Sequence, residues 1–452
     1  MSARSALLHR AFAVLVALAG AAHAADGDPD PSFSGDGVAF ADWSGGPVQE
    51  IRVAVDAQGS LWVGGTITHT GGDRDFAIAR LRSDGTIDTG FGFFGYRTVA
   101  FNLVDAGNDA LMGIFPLADG KAMLLGRAEV ADEIVAAAPA AMARLTAAGN
   151  LDTSFGDNGR RVYTESPWPN ATLYFRAVAR QNDGKFLFGG YCGNCGSGTY
   201  RAVVLRTSAS GDPDASFGNA GWGSFPLPVS NPRLGAMRVD AQGRIVLGGT
   251  ATVDGDHYAL VARMTPAGGA DTSFGTTAEG WVMPTLPGAS GAQWNVTSLA
   301  DAGRDGALYL GFGNYLGLAG GNRGGVARLN ADGSLDASYA NGGVREMTRE
   351  DGTRIDAIAA RSDGRLVAAG RIDHTGGSAD FFVARLRANG SYDTSFDGNG
   401  VARYEITATH DDVEAMTLAA GKPVIAGHTY QTNASVAVLR LQSDLIFADG
   451  VQ

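Results

Sequence analysis

Cysteine is nearly absent: only Cys192 and Cys195 occur in 452 residues. No second pair therefore exists to complete a four-ligand zinc site. Proline is sparse, at 15 residues, which argues against a disordered linker protein. Beyond the amino-terminal segment no run approaches ~18 uninterrupted apolar residues, so no membrane span is expected. Basic charge is in deficit, with 35 Lys and Arg against 47 Asp and Glu, leaving −12. That balance argues against a nucleic-acid backbone as the main partner. Gly-x-Ser-x-Gly, His-Glu-x-x-His and a phosphate-binding glycine loop are missing too. What abounds is glycine: the 66 present are about twice the usual share. They lack the Gly-X-Y period of collagen.

Residues 1–24 read as a cleavable signal peptide. Arg4, His9 and Arg10 form a basic start, Ala11 to Ala21 an apolar stretch, and Ala22-His23-Ala24 a cleavage site. Cleavage near Ala24 removes two arginines and takes the net charge to −14. A secreted or periplasmic, soluble, acidic protein is expected. In that setting Cys192 and Cys195, in Cys-Gly-Asn-Cys, read as a structural disulfide in an exposed loop rather than a redox pair.

A short motif recurs seven times. It appears as Asp30-Pro31-Ser32-Phe33, Asp88-Thr89-Gly90-Phe91, Asp152-Thr153-Ser154-Phe155 and Asp214-Ala215-Ser216-Phe217, then as Asp271-Thr272-Ser273-Phe274, Asp336-Ala337-Ser338-Tyr339 and Asp393-Thr394-Ser395-Phe396. From Phe33 to Phe396 the aromatics span 363 residues in six steps, a mean period of 60.5. Between motifs come an alternating run before an Asp/Asn-Gly turn, a compact run ending in Gly, and a run ending in Arg. A fourth run follows each motif, as in Val38-Ala39-Phe40. Such short β-branched and aromatic runs between turn signals are strands. The expectation is an all-β, seven-bladed β-propeller of four-stranded antiparallel blades over residues 25–445, followed by a short tail, 446–452. The Asp-x-Ser-Phe-Gly-x-x-Gly motif with its Ala-Arg-Leu lead-in resembles the delta-60 repeat of bacterial exported proteins. That resemblance covers nearly the whole mature chain and implies a propeller, but it donates no catalytic residues. Gly90, Tyr339 and Asp397 depart from the pattern.

Numbering units one to seven by their first-turn glycines (59, 120, 184, 243, 306, 364, 421), the second strand ends six residues later, at Gly in every unit but the fifth, where Phe312 stands. Arg and the motif Asp are eight apart in six units, from Arg80/Asp88 to Arg385/Asp393. Such pairs read as structural ties, and the motif aromatic as a buried hook. Arg440 lacks a following motif and Asp30 a preceding arginine, so the amino-terminal strand is expected to close the ring beside Arg440. Loop lengths vary only in the fourth-to-first and second-to-third connections, which share one face.

That variable face is the expected binding surface. Trp43, Trp168 and Trp294 are read as loop residues and candidate anchors. Asp105, Glu165, Asp351, Asp411 and Asp412 would give it an acidic border. His69 and His374 occupy matching His-Thr-Gly-Gly loops of units one and six, a match that repeat ancestry explains. Asp26, Asp28 and Asp30 form D-x-D-x-D, but Pro31 and Gly37 stand where a calcium loop needs Gly and Glu. No metal or other cofactor is identified, and calcium has no specific motif behind it. The expected function is a non-catalytic, monomeric binding or scaffold protein engaging a protein or glycan. The alternative is a lyase or hydrolase of extracellular polymers at the central channel.

Overall fold

A computed structural model describes residues 25–103, 107–129, 138–169, 171–195, 200–287, 293–303, 305–314, 323–347, 352–430 and 434–443. The signal-peptide and carboxy-terminal-tail assignments lie outside the described residues, as do Asp105 and Asp351. Among the described residues all regular structure is β, and the strands follow the four runs of each repeat. In unit one they are Val48–Val55, Leu61–Thr68, Arg74–Leu81 and Tyr96–Val99.

Five sheets have four antiparallel strands in sequence order, which is the blade arrangement of a propeller. The sixth sheet has eight strands, where separate four-stranded blades were expected. It combines the four strands of unit six with the three of unit seven and Val38–Ala41. The halves meet in one parallel bridge, Ala379 to His410. Val38–Ala41 lies antiparallel on Ala434–Arg440, with Val38 opposite Leu439 and Ala41 opposite Val436.

The second and third strands are buried along nearly their whole length, as in Leu61–Thr68 and Ile245–Val253. Buried on both faces, they read as continuous apolar runs rather than alternating ones. The first strands touch one another in chain order: those of units one and two, two and three, and so on to six and seven. That of unit seven, His410–Ala419, touches Val48–Val55 of unit one.

One device recurs in every first strand. The register slips at Gln49/Arg52, Leu111/Gly113, Phe175/Ala177, Leu234/Ala236, Val296/Ser298, Ile355/Ala357 and Val413/Ala415. Each slip is a β-bulge, which leaves an extra residue unpaired and re-aims the chain around it. The bulge explains the fixed glycine of the second strand, which lies inside the strand rather than at its end, as Gly65 does in Leu61–Thr68. A Cβ on Gly190 would stand 1.9 Å from the Tyr174 carbonyl oxygen, and one on Gly370 1.8 Å from that of Arg354.

Candidate functional site at the loop-bearing end

The two ends of the strands use charge differently. At the motif end, Asp152 Oδ1 accepts the Ser154 N–H (3.2 Å) and O–H (2.7 Å), while Oδ2 accepts Arg144 Nε at 2.8 Å. The same Arg–Asp bond measures 2.7 Å in Arg80–Asp88, 2.9 Å in Arg206–Asp214, 2.7 Å in Arg263–Asp271 and 2.8 Å in Arg385–Asp393. Arg440 donates to Asp30 at 2.8 Å across 410 residues of chain. Each guanidinium also covers its motif ring, at 4.3 Å for Arg206 over Phe217 and 4.6 Å for Arg440 over Phe33.

The arginine then reaches the following unit. Arg80 donates to the Ala147 carbonyl and Arg263 to that of Ala331, both at 2.7 Å. The ring follows it: Phe91 packs under Gly149 and Phe217 under Gly268, each a positive-φ turn glycine where a Cβ would collide with the ring. Burial pushes Asp30 up, but Lys422, Ser32 and Arg440 outweigh it and hold its carboxyl down at about 2. These carboxylates are committed to the clasp.

Asp26 and Asp30 of the D-x-D-x-D run serve this end as well. Asp26 pairs with Arg385 at 2.5 Å, Asp28 Oδ2 accepts the Ala25 N–H, and Asp30 is fully buried under Arg440. Among the described residues no three His, Cys, Asp or Glu side chains gather as a metal site.

At the opposite end, ionisable side chains converge on the bulges. Glu414, the extra residue of unit seven, accepts the Ile51 N–H of unit one at 2.6 Å and stands 2.5 Å from His428 Nδ1. Asp356, the extra residue of unit six, pairs with Arg354 at 2.8 Å. Arg371 joins Asp412 at 2.7 Å and Asp373 at 3.0 Å, and His410 lies 3.2 Å from Asp412. Burial drives Asp356 up, Arg354 opposes it and Asp412 adds to it, leaving about 6. Burial pulls His428 down, yet Glu414 and the Val48 carbonyl raise it overall. In units one to three the same level carries Arg52, Arg127 and Arg176. Arg52 Nε donates to the Met112 carbonyl at 2.8 Å, and Arg127 Nη1 to that of Phe175 at 3.4 Å.

The expected anchors are not brought together. Trp43 stands edge-on to Tyr96 at 5.4 Å and lines a recess of about 580 Å³ with Asp42, Pro47 and Ser435. Trp168 stands edge-on to Trp222 at 5.8 Å, beside a recess of about 440 Å³ lined by Glu165, Ser166 and Pro167. Trp294 corrects the loop assignment: it opens the first strand of unit five, Trp294–Asp301. It is only 5% exposed, because its indole packs edge-on to Phe312 at 5.2 Å.

Three further placements differ from expectation. Asp411 is fully buried and no border residue; it accepts the Ile406 and Thr407 N–H groups, both at 2.9 Å. Asp412 is engaged by Arg371. The cysteines are bonded (Cα–Cα 5.8 Å) but are 0% and 2% exposed, because Cys192 lies within the second strand Phe186–Gly193 and both pack into an apolar cluster with Trp222 and Phe188. His69 and His374 keep their matching places, each beside its own carboxylate: Asp75 at 2.9 Å and Asp380 at 2.7 Å.

Two features escaped sequence reading. The bulge-level charges were legible only through the fixed second-strand glycine, a mark of close backbone approach. On the motif end, Phe93 and Phe94 are 77% and 67% exposed and stand edge-on at 4.8 Å. Their equivalents in unit two are Asp157 and Asn158.

A family model described as "Domain of unknown function (DUF5122) beta-propeller" matches residues 59–91, 181–217, 309–339 and 361–396. These four stretches place the chain with β-propeller repeat proteins. No curated protein matches it. Among solved structures it is similar to the polysaccharide lyase Uly1, at 11% identity over 89% of this chain and 91% of that one, with a TM-score of 0.46. Sqt1 of Chaetomium thermophilum gives 11% identity over 90% and 98%, with a TM-score of 0.41. Trypanosoma rangeli sialidase bound to the inhibitor DANA gives 8% over 90% and 58%, with a TM-score of 0.38.

Proposed function

We propose that the chain is an exported binding module: a closed, seven-bladed propeller that takes a glycan or protein at its loop-bearing end. Three observations support the closed ring. The first strands touch in a cycle, Asp30 meets Arg440, and the bridge joining units six and seven has a counterpart between Arg74 and Asn108 of units one and two. A recurring one-residue bridge is a contact between blades, so the eight-stranded sheet counts as two blades.

The function rests on one observation: the ionisable groups unlike from unit to unit gather at the bulges of the loop-bearing end. The other end repeats one charge pattern seven times. A surface that repeats offers a partner nothing to orient against, whereas one that differs in every blade does. A panel of immobilised glycans and envelope extracts tests this. Binding should fall in a Trp43→Ala, Trp168→Ala, Arg371→Gln variant and survive Asp183→Ala and Asp363→Ala at the opposite turns. The reverse pattern would contradict the assignment.

A second reading has its own support. Asp356 sits near 6, and Glu414 beside His428 raises that imidazole against its burial, which suits acid–base work on a polymer. It requires that new chain ends appear on incubation with a polysaccharide and that Asp356→Asn abolish them while leaving binding intact.

A further inference from the structure

The arginines of the loop-bearing end fall into two classes. Those of unit six are neutralised by their own blade or the next: Arg354 by Asp356, and Arg371 by Asp373 and Asp412. Those of units one to three are not. Among the described residues Arg52, Arg74 and Arg176 have no carboxylate within ion-pairing distance, and Arg127 has only Glu50, at 4.0 Å.

Their placement is cumulative. Arg52 reaches the bulge of unit two, and Arg127 reaches Phe175, beside the bulge of unit three. The extra residue of that bulge is Arg176 itself. The Arg127 side chain is only 11% exposed, and its Nε, like those of Arg74 and Arg176, is buried without a hydrogen-bond partner. Burial pulls the Arg127 pKa down; Glu50 opposes this, while Arg176, Arg74 and Arg52 pull it further. Gathering like charges in a partly dry place is unfavourable unless an anion completes it.

We infer that Arg52, Arg74, Arg127 and Arg176 form a binding arc for the carboxylate or sulfate groups of an anionic glycan. The inference rests on the binding-module reading and names its ligand class. Planar guanidinium groups match carboxylate and sulfate oxygens two at a time, which a lysine does not. Half-buried Tyr174 and Tyr200, on either side of buried Tyr191, give the sugar ring aromatic surface next to the arc. Tyr174 stacks on Tyr191 at 4.6 Å and 14°, on the strand that carries Arg176, with Tyr200 6.3 Å beyond. Flat aromatic surface beside paired cations suits a charged sugar better than an acidic peptide.

The experiment titrates the full chain with four probes: oligogalacturonate (carboxylate), dextran sulfate (sulfate), neutral dextran and polyglutamate. At least one of the first two should bind, with an affinity that falls steeply as salt rises, and neutral dextran should not. Arg127→Gln and Arg176→Gln should each weaken binding tenfold or more. Arg176→Lys should stay well below wild type, and Arg238→Gln, at the other end of a first strand, should change binding less than twofold. Thermal melts within a few degrees of wild type show that loss is not unfolding. Equal binding of dextran and dextran sulfate would overturn the anion arc while sparing the binding module. Tighter binding of polyglutamate than of either anionic glycan would overturn the glycan assignment. Anionic binding indifferent to Arg127 and Arg176 would overturn the site.

Discussion

The motif end and the loop-bearing end of the same strands both carry many ionisable side chains, yet they use them differently. At the motif end each motif aspartate from Asp30 to Asp393 has its arginine, most of those arginines cover the motif ring, and several, as Arg80, Arg206, Arg263 and Arg440 do, also reach a carbonyl of the next unit. At the loop-bearing end a bulge recurs in each first strand, but its extra residue changes: Met112, Arg176, Thr297, Asp356, Glu414. Repetition in one place and variety in the other, on one backbone, separates what assembles the molecule from what it presents.

The comparison breaks most readily at the clasp. Deleting residues 25–41 removes Asp30, Phe33 and the strand beside Arg440, and leaves that arginine buried and unpaired. A large drop in melting temperature, or failure to fold, is expected; an unchanged melt would show that the amino-terminal strand is dispensable. Phe217→Ala, which empties the ring site under Gly268, should cost about 3–5 kcal/mol in urea titration. A cost below about 1 kcal/mol would mean that the ring is not a buried hook.

Acid and base should act oppositely on the two ends. Asp30 is held at about 2, so its contribution is present above the ordinary Asp value near 4 and lost as pH falls from about 4 to 2. Asp109, at the loop-bearing end, is buried; burial, with Asp75 and Asp73, lifts it to about 7 despite N–H donors from Phe101 and Glu129. Its folded form binds the proton more tightly than the unfolded chain, so stability declines as pH rises from about 4 to 7. Melting temperature against pH should fall less steeply below about pH 4 in Asp30→Asn, and less steeply between about pH 4 and 7 in Asp109→Asn, than in the wild type. If both variants keep the wild-type profile, the two ends do not differ electrostatically.

The sequence carried the motif end almost complete. Seven aromatics at one period, and Arg and Asp at a constant eight residues, announce repeated contacts before any coordinates, and Arg440 and Asp30 could be matched as leftovers. The loop-bearing end was legible only as a place. Arg52, Arg127 and Arg176 do not recur at one spacing, and a bulge shifts the in-out alternation by one residue, so a period of two misassigns the residues beside it. Trp294 was misplaced for a related reason. Its first strand begins earlier than the loop-length comparison implied, because the indole has Phe312 to pack on. Buried Cys192 and Cys195 likewise sit on apolar neighbours that glycine-rich spacing hides. Replacing both by Ser should cost about 2 kcal/mol by loop entropy, with a further loss for two buried hydroxyls. A full complement of free thiols in the unreduced protein would contradict the disulfide.

The smallest effect sharpens the comparison from the other side. Phe94 holds a left-handed φ of 51°, where unit two has Asn158 at 49°. Phe93→Asp with Phe94→Asn should raise stability by roughly 0.5–1 kcal/mol, without touching glycan binding. Loss of binding in that variant would extend the recognition surface to the motif end.

The central claim, that one end assembles and the other recognises, is tested most directly by amide hydrogen exchange of the full chain with and without saturating dextran sulfate or oligogalacturonate, whichever binds. The account predicts added protection in the bulged first strands of units one to three, 48–55, 110–116 and 172–180, and no change in the motif turns at 84–95, 148–159 and 210–221. Protection confined to those motif turns, with the first strands unaffected, would contradict it.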